Sequence, residues 1–131
     1  MKKDIEIPVV SHVEVVAILE KDAEFEHPVW TIYLMNLKST SLKTVLIVSE
    51  GHSDTKTTSV LRKKIEHLPA QSMAKIEFIQ DELIAFENRF KVSFFENNQL
   101  LHKDFKFKPH QITEANLEQL QLVEQQGVLA E

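Results

Sequence analysis

Period-two alternation of apolar and polar side chains dominates the chain. In residues 12–19, Val13, Val15, Ala17 and Leu19 share one face, and His12, Glu14, Val16 and Ile18 share the other. That pattern predicts a strand whose second half is covered on both faces. Asp22 to His27 is an acidic connection, and Pro28 marks the start of the next element. Residues 29–37 put Trp30, Ile32 and Leu34 on one side and Val29, Tyr33 and Met35 on the other. Their β-branched and aromatic content favours a strand. Lys38-Ser39-Thr40-Ser41 then links to a third strand over residues 42–49, and this pair is the strongest hairpin signal in the chain.

Gly51 to Thr58 is a polar loop. Residues 59–68 combine a helical spacing of Leu61, Ile65 and Leu68 with the extended preference of Thr57, Thr58 and Val60, and the balance favours a strand. After the turn Pro69-Ala70-Gln71-Ser72, Ala74, Ile76 and Phe78 alternate with Lys75 and Glu77. A short apolar patch, Leu83 to Phe86, precedes a turn at Glu87-Asn88. Phe90, Val92 and Phe94 then face inward. Asn97-Asn98 makes a tight turn, since asparagine tolerates positive φ, and a return strand over 99–108 carries Phe105 and Phe107 inward. Beyond Pro109 the period lengthens. Thr113 is placed to cap a short helix with Leu117, Leu120 and Val123 on one stripe, Ile112 stapling onto Leu117 and Gly127 ending it.

About seven short strands with regular turn signals predict a mainly β protein, an immunoglobulin-like antiparallel β-sandwich with a short C-terminal helix. The sandwich is expected over residues 1–112. A helical tail over 113–131 is expected to pack on it or on a partner chain.

Composition narrows the chemistry. The 131 residues contain two glycines and no cysteine. Gly51 and Gly127 cannot build a glycine-rich phosphate loop. Without cysteine there is no disulfide framework, thiolate metal site or cysteine nucleophile. With a 43% hydrophobic and 27% charged composition, the chain is long enough to bury about two thirds of its surface in one core. Fifteen basic and twenty acidic residues argue against a broad phosphate-binding surface. Glu6, Pro8 and Glu14 interrupt any secretory signal starting at Lys2 and Lys3, and no apolar run reaches bilayer length. A cytoplasmic protein that does not enter membranes is expected.

Several stretches together resemble a family of small uncharacterised bacterial proteins of this length. They are Lys2-Lys3-Asp4-Ile5-Glu6-Ile7-Pro8-Val9-Val10, Trp30-Thr31-Ile32-Tyr33-Leu34, Val45-Leu46-Ile47-Val48-Ser49-Glu50-Gly51, Lys56-Thr57-Thr58-Ser59-Val60-Leu61-Arg62 and Gly127-Val128-Leu129. The resemblance spans nearly the whole chain and attaches no reaction to it. Some members carry a label relating them to a phenylalanyl-tRNA synthetase subunit. A class II synthetase core is a much larger construction with motif arginines, and the arginines here are Arg62 and Arg89.

Candidate chemistry is sparse. His12-Val13-Glu14 and His102-Lys103-Asp104 each put an imidazole and a carboxylate on one strand face, and two such pairs on neighbouring strands would suit zinc. No His-x-Glu-x-x-His spacing backs that reading, and a solvated strand face accounts for both. His52-Ser53-Asp54 has the residue types of a hydrolytic triad, but consecutive residues cannot form the relay. Asp81-Glu82 reads as a turn. No catalytic residue, metal or cofactor is expected. Trp30, Tyr33 and the phenylalanines are assigned to the core. The stripe Leu117, Leu120 and Val123 is the expected interaction surface, for an unidentified protein partner or for self-association into a homodimer. The leading expectation is a non-catalytic structural or protein-interaction module. The alternative is a nucleic-acid or tRNA-associated accessory protein that binds phosphate through Arg62, Lys63 and Lys64 with Lys103, Lys106 and Lys108. An enzyme with an unrecognised site ranks last, and edge-strand lysines have the simpler use of blocking aggregation.

Overall fold

The computed structural model describes residues 9–131; the opening stretch quoted above lies outside the described residues up to Pro8. The chain is mainly β, with two antiparallel sheets. Its strands are β1 (Val13–Glu20), β2 (Val29–Asn36), β3 (Leu42–His52), β4 (Leu61–Leu68), β5 (Ser72–Ile79), β6 (Glu87–Glu96), β7 (Gln99–Phe107), β8 (Glu118–Gln119) and β9 (Gln126–Leu129). One sheet has the order β5-β2-β1-β9-β8 and the other β4-β3-β6-β7. Residues 59–68 are extended as expected, over Leu61–Leu68. Among the described residues, no helix is long and apolar enough to cross a membrane.

The alternation read from sequence sets the two faces. Val13, Val15 and Ala17 of β1, Trp30, Ile32 and Leu34 of β2, and Phe90, Val92 and Phe94 of β6 meet in the main core between the sheets. Val16 and Ile18 of β1 and Met35 of β2 point the other way, into a second cluster on the outside of the five-stranded sheet. The second half of β1 is therefore buried on both faces, as its sequence predicts.

Three expectations are corrected. The first concerns β2 and β3, which do not form a hairpin: β2 pairs with β1 and β5, and β3 with β4 and β6. The link between them crosses from sheet to sheet, held by the fully buried Asn36. Its Nδ2 donates to the carbonyls of Thr40 at 3.0 Å, Leu68 at 3.3 Å and Pro69 at 3.0 Å, and its Oδ1 accepts from Lys38 N at 3.0 Å. One amide side chain thus fastens this crossing to the β4–β5 turn. The second correction is at Glu87-Asn88, which begins β6 and is not a turn.

The third correction is the C-terminal helix. Glu114–Asn116 makes one 3-10 turn, Thr113 gives it no side-chain cap, and Glu118–Gln119 and Gln126–Leu129 are strands. A short amphipathic stretch is marginal as a helix, and backbone ladder bonds outweigh its propensity. Here β9 pairs with β1 through Ala17↔Val128 and Val16↔Leu129. Gly127 fits because the chain passes so close to β1: an added Cβ would lie 2.9 Å from Leu120 Cδ1 and 3.0 Å from the Ala17 carbonyl oxygen. The next residues span the layers. Ala130 N donates to Val15 O at 2.9 Å, and Glu131 and Lys106 exchange backbone bonds of 2.9 and 3.0 Å. The segment thus packs on its own sandwich, in strands and turns where a helix was expected.

The tight turn expected at Asn97-Asn98 is present, with Glu96 paired directly with Gln99 across it. Both asparagines have positive φ, 51° and 63°, as a primed turn requires. His12, Thr44, Gln71 and His110 share the left-handed region, and neither glycine does.

Leu120 is 5% exposed and seated on Val16, Ile18 and Met35. Leu120→Ala should lower the unfolding free energy by about 2–3 kcal/mol, measured by urea denaturation, without altering molecular size in solution. A size change with no stability loss would mean that Leu120 lies between chains instead.

Candidate functional site

Two places concentrate chemistry. The first is a cleft of about 260 Å³ where the ends of β3 and β5 meet the segment before β4 and the start of β6. Alternation puts Glu77 on the solvent side with Lys75. The structure turns it inward through a bulge: Ile32 opposes Glu77 and Tyr33 opposes Lys75, so Ile76 is extra on β5. Two adjacent side chains, Ile76 and Glu77, then share the core side, and Phe78 is turned out. Phe78 packs edge-on against Phe25 at 5.1 Å, with Lys75 Nζ 4.9 Å from its ring centre.

Inside the cleft, Ser49 Oγ donates to Glu77 Oε2 at 2.5 Å. Burial pushes the Glu77 carboxyl above its ordinary value, and the Ser49 hydrogen bond, which favours the carboxylate, pulls partly back. Among the described residues, Glu77 Oε1 has no hydrogen-bond partner and the carboxyl has no ion-pair partner. Thr58 Oγ1 accepts from Gly51 N at 2.7 Å, and the buried Asn88 donates to Leu83 O at 2.9 Å and Phe86 O at 3.2 Å. These bonds fix the walls. Leu83 and Phe90 supply the apolar lining, and Glu50 sits at the rim, held below the usual carboxylate range chiefly by its bond to His52.

The second place is the outer face of the four-stranded sheet. Strand register aligns its side chains in cross-strand rows: His67–Lys43–Phe95–Leu100, then Lys64–Leu46–Ser93–His102, then Arg62–Val48–Lys91–Asp104. Leu46, Phe95 and Leu100 are 46%, 40% and 60% exposed. The strands of this sheet carry Lys43, Arg62, Lys63, Lys64, Arg89, Lys91, Lys103 and Lys106 against Glu50, Glu66, Glu87, Glu96 and Asp104, a formal excess of three positive charges. The strands of the other sheet carry Lys75 against Glu14, Glu20, Glu77 and Glu118, an excess of three negative charges. The acidic total hides a basic layer.

That layer brings together part of the expected anion patch. Arg62 and Lys64 on β4 and Lys106 on β7 occupy opposite margins of one face, joined across β6 by Lys91 and Arg89. Lys63 pairs with the core residue Ile47 and so points to the other side. Lys108 lies beyond β7, 3.2 Å from Glu131. Several cations already have partners: Lys64 has Glu66 at 3.0 Å, and Arg89 has Glu87 at 3.3 Å.

The two imidazole–carboxylate pairs are not brought together. His12 and Glu14 lie at β1, and His102 and Asp104 on β7 of the other sheet. Among the described residues, no three His, Asp or Glu side chains are grouped to hold a metal ion. His102 Nε2 lies 2.6 Å from Asp104 Oδ1, and His102 Nδ1 lies 2.9 Å from Ser93 Oγ, a chain that pair spacing alone did not reveal because Ser93 comes from β6. His102 and Asp104 side chains are 50% and 67% exposed, and an acyl-transfer site needs oxyanion donors and a water-excluding pocket. His52-Ser53-Asp54 leaves β3 in a tight loop, with Ser53 Oγ accepting from Lys56 N at 3.0 Å. Asp81-Glu82 opens the short 3-10 helix Asp81–Ala85. Of the predicted interaction stripe, Leu120 and Val123 pack in the outer cluster and Leu117 on the rim of the main core.

Comparison of the chain with protein-family models, curated proteins and solved structures finds no match.

A carboxyl raised by folding stabilises the fold fully below its unfolded pKa, and that contribution is lost as pH rises through the folded pKa. Glu77→Gln keeps a hydrogen-bond acceptor for Ser49 and removes the ionisation. Urea denaturation over a pH series should show the parent progressively losing stability relative to Glu77→Gln as pH rises above the ordinary carboxylate range and Glu77 ionises. Parallel curves would mean that the carboxyl stays solvated.

Proposed function

We propose that the chain is an immunoglobulin-like β-sandwich acting as a non-catalytic protein-interaction module, with the outer face of the four-stranded sheet as its binding surface. The strand succession supports the fold assignment. A β1–β2 hairpin starts one sheet, the chain crosses to β3–β4 in the other, returns to set β5 beside β2, adds a β6–β7 hairpin beside β3, and comes back with β9 beside β1.

One observation carries the functional reading. The five-stranded sheet is covered by its own chain, with Leu120 and Val123 over β1 and Phe25 over Phe78. The four-stranded sheet leaves Leu46, Phe95 and Leu100 exposed among Lys43, Arg62, Lys64 and Lys91. The interaction surface therefore moves from Leu117, Leu120 and Val123 to this face. Exposed apolar side chains on a sheet with a net excess of positive charge select a partner of matching shape and opposite charge. The occupant is a protein segment that alternates acidic and apolar side chains. The same face of a second copy would meet like charge, which disfavours a homodimer built on it.

Nucleic acid is the second reading, favoured by the alignment of Arg62, Lys91 and Lys106 with the aromatic Phe95. Glu66, Glu87 and Asp104 interleave with these cations and weaken a phosphate track.

Titrating the 15N-labelled chain with a synthetic peptide of alternating glutamate and leucine should shift amides of β3, β4 and β6, and Phe95→Glu should weaken binding about tenfold or more. Shifts confined to the five-stranded sheet, or stronger binding of a single-stranded oligonucleotide, would overturn the reading.

A further inference from the structure

The Glu77 cleft lies apart from the proposed binding face, and its chemistry differs. Sandwich interiors are apolar, so a carboxyl turned inward by a bulge, with one hydroxyl partner and no cation, is an expensive feature to keep. The bulge is what makes it possible: regular pleating would leave Glu77 in solvent beside Lys75. Around it, Ser49, Thr58 and Ser59 present hydroxyls and no basic residue lines the space; Glu50 borders it but turns its carboxylate to the outer face, towards His52 and Arg89. Leu83 and the buried ring of Phe90 form the apolar part.

We propose that this cleft binds a small organic cation, a primary amine or guanidine on a short aliphatic chain, with its head on Glu77 Oε1 and its methylenes against Leu83 and Phe90. An anion would meet the Glu77 carboxylate with no basic residue in the lining to offset it. A hard metal ion would find one carboxylate and hydroxyls, and no group of three His, Asp or Glu among the described residues. The cleft volume of about 260 Å³ suits a head group and a few methylenes.

Binding should strengthen as pH rises through the ionisation of Glu77, because the carboxylate is the binding form. Glu50 is the other titratable residue that borders the cleft, and its side chain is turned to His52 and Arg89 on the outer side of β3. Butylamine and agmatine, titrated into the full 15N-labelled chain, should shift the amides of Ser49, Gly51, Glu77 and Asn88. Butan-1-ol, of equal length and neutral, should bind about tenfold or more weakly, and Glu77→Gln should lose about as much for the amines. Gly51→Ala tests the cleft without touching the carboxyl. Its Cβ would lie 3.0 Å from Thr58 Cγ2 and 3.3 Å from Asn88 Oδ1, and amine binding should weaken. The proposal is overturned if butan-1-ol matches butylamine, if Glu77→Gln binds the amines unchanged, or if calcium chloride moves the same amides at lower concentration than either amine. None of these outcomes touches the peptide-binding face, which is read by a different probe on β4 and around Leu46 and Phe95, away from the cleft.

Discussion

Consecutive residues at the C-terminal end of the described chain bond to different layers, Ala130 to Val15 in one sheet and Glu131 to Lys106 in the other. That staple decides much of the rest. It holds β9 against β1, so the intervening turns lie over Val16 and Ile18 and Leu120 is buried there. Coverage of one sheet leaves the other as the exposed layer. On the opposite side, Asn36 plays the matching part by anchoring the crossing between sheets to the β4–β5 turn. Two polar fastenings, one on each side, hold together sheets whose largely apolar filling would otherwise let them slide, since apolar contact is non-directional.

Electrostatic asymmetry follows from the same topology. Each strand is modest in charge, and only their grouping into sheets separates the lysines and arginines from the acidic side chains. Tyr33 illustrates the acidic layer: burial and its hydrogen bond to Glu20 both push its phenol pKa up. In an acidic chain of net charge -5, the basic layer is a product of sheet assignment.

Face patterns were legible where pleating is regular. Val13, Val15 and Ala17, or Phe90, Val92 and Phe94, could be placed by parity because nothing in β1 or β6 breaks the period. Parity failed at bulges. Ile76 shifts Glu77 inward, so the one carboxyl of interest was hidden by the very alternation that located its strand. Sheet membership was not legible either, because a four-residue polar link reads alike whether it turns back within a sheet or crosses between two. The C-terminal stripe misled for a related reason: Leu117, Leu120 and Val123 suit a helix by spacing, and the free edge of β1 that recruited β9 is a tertiary fact. Ser93 joined His102 and Asp104 only through the pairing of β6 with β7.

The left-handed residues have an evolutionary consequence. Among the described residues, six other than glycine adopt positive φ, and neither glycine does. Replacing such residues with glycine is a common route to relieving strain, yet here it would work unevenly. At Asn98 the side chain forms no described hydrogen bond, and glycine would mainly free the backbone. At Gln71 the side chain donates to Leu37 O at 2.6 Å and Lys38 O at 3.2 Å, tying the β4–β5 turn to the crossing that Asn36 anchors. Drift towards glycine there would ease one torsion and untether a corner of the sandwich. The loops of this protein hold their shape through side-chain identity, so they should tolerate substitution less freely than exposed loops usually do.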